Sequence, residues 1–465
     1  MKNKKEIFLR ITYKRFLIRI KRQCKKKEKR KIAYEQFTNI QKELQDDFSY
    51  ENILNTWLPK NIKYLLSCKQ SDFYFDKLKE NIPKHNGKFE VPSDFSIISN
   101  PDESYSFIQQ VTASLIYQLY NKIEVDYGKC EKIDLGTEVF FDVIIKEIFE
   151  FFDKCSRHKK TRSKVDELKG RSSRNADVNK LLFSVGSPAI HAKKTISYPD
   201  IIPYKLCFYD GARGSYLGNA EQKEIDTTEL VEYVLESLKR VNKELTPEKR
   251  DDLAIVIGEI LINAEEHSTT NCRFSIGYFH EMQNDGKHYG VLRLAILNFG
   301  KTIYETFKDP NCPNKIIVKK MKELSDGYNK RGLFFNKEFE EETLWTLYAL
   351  QEGVTSIDPK IYSKRGNGSI QFIESFFNIK GSDNLDNVSR MTIHSGHTDI
   401  TFNGSYNITE KIIEGDKYKF MTFNKTGSIK DKPDQKFVQY VDNYFPGTMI
   451  CAEILFNEGD YAHDN

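Results

Sequence analysis

The sequence predicts a two-domain α/β protein behind a basic N-terminal arm, and three observations carry that prediction. Strand-like and helix-like segments alternate from residue 89 to 152 and again from 204 onward. A polar, charged stretch at 153 to 180 interrupts the alternation and reads as a surface excursion or linker. The first 31 residues hold fifteen Lys or Arg against two Glu, a net of +13 in a chain whose formal charge is +4. The basic excess therefore belongs to an arm, and the body carries about −9. At 39% hydrophobic and 30% charged residues, the body has the composition of a packed globular protein rather than a disordered one. The expected boundaries are an arm at 1–45, an α/β domain at 46–195 and a second domain at 196–465.

Several function classes are disfavoured at once. No apolar run approaches the ~20 residues that span a bilayer, and charges cut the apolar stretches near the N-terminus, so no signal peptide is read. The expectation is a cytoplasmic protein with no membrane contact. Eight cysteines are scattered with no Cys-x-x-Cys pair, which points away from zinc and dithiol redox chemistry. His394 and His397 form an H-x-x-H, but within strand-like alternation they read as a local polar turn.

The elements follow in order. The arm offers partial apolar faces through Ile7, Phe8, Ile11, Phe16, Leu17 and Ile20. It reads as a solvated helix or flexible arm, or as a surface that meets nucleic-acid phosphates or an acidic partner through residues 1–31. In the first domain, residues 89–98 are extended, Asp102 to Tyr120 has helical spacing, 122–126 is a short strand and 135–152 a strongly apolar helix. That order predicts parallel pairing. In the second, 204–210 is a strand and 226–242 a helix. Thr246-Pro247-Glu248 starts the next helix with a cap residue, a first-turn proline and an acid. Strands at 272–279 and 290–297 flank the turn signal Asn284-Asp285-Gly286. Helical stretches occupy 314–352, a helix runs from 370 to 377, and two strand-like segments finish the chain.

Chemistry concentrates on the helix carrying G-E-I-L-I-N-A-E-E-H, residues 258–267. Glu259, Asn263 and His267 fall at i, i+4 and i+8, on one side of the helix, while Leu253, Ile257, Ile260 and Leu261 can bury the other. A carboxylate and a carboxamide one turn apart are either a solvated edge or a ligand-bearing edge, since burying them unpaired costs ~1–3 kcal/mol each. A divalent cation with a phosphate gives them a function: the amide oxygen is a hard ligand suited to Mg²⁺, and the carboxylate can activate a nucleophile. Downstream, Lys364-Arg365-Gly366-Asn367-Gly368-Ser369 opens a helix, an arrangement that lets backbone N–H groups approach phosphates. Lys364 and Arg365 read equally as γ-phosphate contacts or as an ordinary basic loop.

The order E-x-x-x-N-A-x-x-H, two strands ending near Gly300, a lid with G-x-G, and a last strand opening with Gly447-Thr448 resembles the GHKL ATPases. These include histidine-kinase ATPase domains, anti-sigma-factor kinases, gyrase B subunits and the MutL family. The resemblance covers about 210 residues and implies a Bergerat-type α/β sandwich with a mixed sheet and an ATP lid at residues 301–365. It implies that Glu259 activates water, that Asn263 binds Mg²⁺, and that Gly300 lets the chain pass close to adenine. It also implies that Gly366 and Gly368 cradle phosphate and that Thr448 helps hold adenine. His267, Asn298, Thr302, Lys364, Arg365 and Ser369 complete the implied nucleotide-binding set. Asn298 stands where the family has an adenine-reading aspartate, so its amide oxygen is the expected acceptor from the adenine amino group. Thr302 stands where the family has a second glycine.

A fainter resemblance covers residues ~85–190 and is carried by residues 122–143, KIEVDYGKCEKIDLGTEVFFDV. A strand ending in Asp, a turn and I-D-x-x-x before an apolar helix resembles a STAS domain. The serine acceptor that regulated STAS proteins place after the equivalent of Asp134 is missing, and Thr137 is only its neighbour, which implies a binding role.

The resulting expectation is a Mg²⁺-dependent ATPase or ATP-driven switch acting on a protein partner, with bacterial stress response or anti-phage defence as the setting. An anti-sigma-type serine/threonine kinase and a non-hydrolysing nucleotide-binding module remain alternatives. A homodimer is compatible with each.

Overall fold

The computed structural model of the chain describes residues 57–80, 87–118, 123–158, 168–189, 196–211, 219–284, 287–331, 339–357, 368–379, 389–413 and 416–457. The basic arm and its expected contacts lie outside the described residues, as do Lys364, Arg365 and Gly366. The fold is mixed α/β, with parallel and antiparallel sheets. Among the described residues, no helix is long and apolar enough to cross a membrane. The chain divides into two compact units, one running to Leu182 and from Gly186 to Lys194, the other taking Phe183–Val185 and Thr195 onward.

The first unit contains α1 (Lys60–Ser67), α2 (Phe75–Glu80), β1 (Lys88–Glu90), β2 (Asp94–Phe95), α3 (Pro101–Ala113), β3 (Ile123–Asp126), β4 (Lys132–Ile133), α4 (Leu135–His158), β5 (Leu168–Arg171) and all but the last three residues of α5 (Ala176–Val185). A π-helical turn, Ser114–Gln118, extends α3. The strands pair in parallel, in the order β1-β3-β5, with β2 and β4 as a separate parallel pair. The stretch 153–180 is more than a linker. It holds β5 and the start of α5. The sequence of β5, Leu-Lys-Gly-Arg, hides the strand because only Leu168 is buried and the pairing to β3 is made by backbone. Thr137 is fully buried, its hydroxyl 2.6 Å from Asp134 Oδ2 and accepting the Ile97 N–H at 2.7 Å. It ties the end of β2 to the start of α4.

Helix α4 also buries three acids. Glu138 and Asp142, one turn apart, both meet the Ser187 hydroxyl, at 2.8 and 2.7 Å. The Tyr127 hydroxyl lies 3.0 Å from both oxygens of Glu138. Glu147 accepts from Asn61 Nδ2 at 2.6 Å and from the Ile62 N–H at 2.7 Å, holding the first turn of α1. Burial pushes Glu138 and Glu147 up to about 7, and burial together with the charge of Glu138 raises Asp142 well above the usual carboxylate range. These acids keep protons in the folded unit that the unfolded chain releases near 4.5 for the two glutamates. Stability contributed by them is therefore full at low pH and falls as pH rises towards 7, by ~1.4 kcal/mol per pH unit for each carboxyl protonated only when folded. The melting temperature of this unit is expected to be higher at about pH 5 than at about pH 7.5, and Glu138→Gln to shrink the difference. Differential scanning calorimetry checks this, and a melting temperature that climbs between those pH values contradicts it.

The second unit contains β6 (Ile201–Asp210), α6 (Asn219–Arg240), α7 (Pro247–Glu266), β7 (Cys272–Asn284), β8 (Lys287–Phe299), α8 (Ile303–Lys308), α9 (Lys315–Arg331), α10 (Glu341–Ala349), α11 (Gly368–Ile379), β9 (Arg390–Phe402), β10 (Thr409–Ile413), β11 (Asp416–Phe420) and β12 (Val438–Asn457). Five strands form one sheet in the order β6-β7-β8-β12-β9. The expected mixed sheet is corrected here, because every one of its pairings is antiparallel. The connection between β7 and β8 is too short for a parallel crossover, and β12 runs antiparallel to both its neighbours. Among the described residues four strands, not two, end the unit, with β10 and β11 forming a separate ribbon.

Helices cover one face of the sheet. Leu230, Val234 and Leu238 of α6 and Leu253, Ile257, Ile260 and Leu261 of α7 share a core with Phe279, Leu292, Ile296, Ile393 and Ile454 of the strands. Each such side chain stabilises the unit by ~1.5–3 kcal/mol relative to exposure. Thr246 caps α7 by accepting the Lys249 N–H at 3.4 Å, with Pro247 at the first helical position. The cap and proline fix where α7 begins, and hence the phase at which its polar edge meets the sheet.

Candidate functional site

A cavity of about 310 Å³ lies between α7, α8, α11, the segment after α10 and the sheet. One polar edge comes from α7 through Glu259, Asn263 and His267. A second comes from the sheet through Asn298 and Thr448, and a third from Thr355, Ser356, Ser369 and Gln371. Between them the walls are apolar: Ile260, Ile296, Ile303, Phe307, Leu350, Phe372, Ile393 and Ile450. Apolar walls around a few convergent polar groups are the usual anatomy of a small-molecule site.

Six of the residues singled out in the sequence are thus brought together: Glu259, Asn263, His267, Asn298, Ser369 and Thr448. Gly368 is the first residue of α11. Gly300 and Thr302 do not line the cavity. A Cβ on Gly300 would sit 2.8 Å from the His267 carbonyl oxygen and 3.0 Å from Ser268 Cα, so this glycine lets β8 end against the turn that follows α7. Thr302 is fully buried and caps α8, its hydroxyl accepting the Glu305 N–H at 3.1 Å while Glu305 accepts the Thr302 N–H at 2.9 Å. Where the family has a second glycine, Thr302 here forms a capping box.

Glu259 and Asn263 are half-buried, and their side chains make no hydrogen bond or ion pair among the described residues. Two polar groups facing an apolar-walled cavity without protein partners are the arrangement that a polar ligand completes. Among the described residues no group of three His, Cys, Asp or Glu is arranged to hold a metal ion. A divalent cation here would therefore take most of its ligands from phosphate oxygens and water, the habit of Mg²⁺ rather than of zinc.

The sheet end of the cavity belongs to one register level. Tyr209 pairs with Arg273, Thr448 with Asn298 and Ser395 with Thr448. Arg273 lies one residue before the Phe274–Leu297 pair, next to Asn298. A polar row therefore crosses all five strands at the edge of an apolar face. Arg273 is buried, pairs with Asp226 of α6 at 2.6 Å and stacks on the Tyr209 ring at 4.7 Å. Asn298 is 1% exposed, and its Oδ1 accepts the Thr448 N–H at 3.1 Å. Ser395, fully buried, joins Thr448 to the first residue of α8: its Oγ is 3.1 Å from Thr448 Oγ1, donates to the Gly447 carbonyl at 2.9 Å and accepts the Ile303 N–H at 3.0 Å.

His394 and His397 bind separate partners. His394 Nδ1 pairs with Asp399, and His397 Nδ1 lies 2.9 Å from the Val441 carbonyl. Sequence reasoning missed Ser395 and the apolar walls. The walls carry no signal beyond helical and strand periodicity, and Ser395 is identifiable only through the strand pairing that sets it beside Thr448.

Comparison with known family models, curated proteins and solved structures finds no match to this chain.

Proposed function

We propose that the second unit binds Mg²⁺-ATP in this cavity, hydrolyses it slowly, and uses it as a conformational switch read by a protein partner. The observation that carries the reading is the convergence of Glu259, Asn263 and His267 on one helix edge with Asn298, Thr448 and Ser369 around one apolar-walled cavity. Their sequence order and spacing resemble those of GHKL ATPases. The donor set suits the cofactor: an amide oxygen at Asn263 for Mg²⁺, a free carboxylate at Glu259, and a helix N-terminus at Gly368–Ser369 for phosphate oxygens. Bound Mg²⁺ would neutralise phosphate charge as a Lewis acid. Asn263 would hold it, Glu259 would orient and deprotonate the attacking water, and the isoleucine and phenylalanine walls would enclose the base and exclude solvent.

Isothermal titration calorimetry with ATP, in Mg²⁺ and in EDTA, tests this. The wild-type chain is expected to bind ATP more tightly with Mg²⁺, and Asn263→Ala to remove most of that gain, roughly 10–100-fold for a lost charge-assisted ligand. Equal affinity of wild type and Asn263→Ala in Mg²⁺ would remove Asn263 from the site. Transfer of labelled γ-phosphate to a protein, instead of its release, would favour the kinase alternative.

A further inference from the structure

We infer that Asn298 recognises the base as a hydrogen-bond donor, through its amide nitrogen, and that Thr448 is the acceptor beside it. This rests on the nucleotide reading above and reverses the polarity expected from an aspartate-like role. Asn298 Oδ1 is engaged by the Thr448 N–H at 3.1 Å. That contact fixes the amide orientation, because the flipped form would set an N–H against an N–H. Asn298 lines the cavity, and its Nδ2 is buried with no acceptor among the described residues. A buried donor left in this way calls for an acceptor from outside the chain.

The neighbouring hydroxyl has the opposite polarity. Ser395 Oγ has one proton, which goes to the Gly447 carbonyl at 2.9 Å. Its lone pairs receive the Ile303 N–H at 3.0 Å and, at 3.1 Å, Thr448 Oγ1. Because Ser395 has no second proton, Thr448 must be the donor in that last contact. The Thr448 hydroxyl therefore offers the cavity only lone pairs. Asn298 and Thr448 are direct cross-strand partners, so donor and acceptor stand side by side on the sheet.

The complement is a flat ring with an acceptor and a donor on adjacent positions of one edge. In adenine these are ring nitrogen N1, which would accept from Asn298 Nδ2, and the N6 amino group, which would donate to Thr448 Oγ1. Asn298 is thus a specificity-determining residue for N1, and a carboxylate there would present an acceptor to an acceptor.

Calorimetric titration of the full chain with Mg²⁺ complexes of ATP, 1-deaza-ATP and GTP tests the inference. 1-Deaza-ATP keeps the amino group and replaces N1 by C–H. The wild-type chain is expected to bind it at least about tenfold more weakly than ATP, the worth of one hydrogen bond to a buried donor. Asn298→Asp is expected to weaken ATP and to erase the difference between ATP and its 1-deaza analogue. If that variant does not fold, the wild-type comparison alone decides. Equal affinity of wild type for ATP and 1-deaza-ATP overturns the assignment of Asn298 to N1 while leaving nucleotide binding intact. Tighter binding of GTP than of ATP overturns it as well, since the donor then meets a keto oxygen. Binding of none of the three overturns both this inference and the reading beneath it.

Discussion

Replacing Glu259 by glutamine is expected to slow phosphate release by roughly 10²–10⁴-fold, the usual contribution of a positioned general base, while ATP affinity changes only a few-fold. The side chain is half-buried at the cavity, with no hydrogen bond or ion pair among the described residues to hold it as a structural group. Glutamine keeps the shape and an oxygen that can orient water but cannot take its proton. A loss in turnover without a loss in binding is the signature of an interaction made in the transition state alone. Asn263, one turn further along α7, should show the opposite split, with weakened Mg²⁺-ATP binding as the primary effect. Steady-state phosphate release set beside calorimetric affinity separates the two. A Glu259→Gln chain that hydrolyses at the wild-type rate would remove the general-base role.

Gly447→Ala is expected to be the most damaging small change to the second unit. Gly447 adopts φ of 149°, in the region that L side chains rarely enter. It also packs directly on β8. An added Cβ would collide with the Asn298 carbonyl oxygen and lie 3.0 Å from Phe299 Cα, all backbone that cannot turn aside. Strain and displacement together predict a loss of roughly 3 kcal/mol or more, or about 10 °C in melting temperature for a unit of this size. ATP binding should fall with it, because the same movement separates Asn298 from Thr448. Gly327→Ala makes the control. That residue sits on an exposed helical turn of α9 with nothing within 4 Å of the new Cβ, so the change should stabilise by ~0.5–1 kcal/mol. Thermal melts of the two variants should therefore move in opposite directions, and equal melting temperatures would contradict the packing argument.

The candidate site was legible in the sequence wherever a single element carried it. The helical spacing of Glu259, Asn263 and His267 sets all three along the cavity, because one helix has one phase. Thr448 and Asn298 also meet there, but the reason, their cross-strand pairing at one register level, is a long-range fact that no local pattern encodes. The same limit explains Asn298. Its residue type admits donor and acceptor readings alike, and only the Thr448 N–H settles which atom is left for the cavity. Gly300 shows how a local motif leaves two readings open. A glycine after a strand fits a close approach to a ligand as well as to a neighbouring turn, and among the described residues its nearest neighbours are the backbone at 267–269. The parallel sheet of the first unit followed from alternating strands and helices, whereas β5 went unseen because its sequence is polar and its pairing rests on backbone alone.

The proposed site brings Mg²⁺ and ATP together in one cavity between α7, α11 and the sheet. A crystal structure of the chain grown with Mg²⁺ and a non-hydrolysable ATP analogue tests it most directly. The base is expected against Asn298 and Thr448, the metal on Asn263 Oδ1 and the phosphates at the N-terminus of α11. An analogue bound elsewhere on the unit, or a cavity closed by protein side chains under saturating nucleotide, would contradict it.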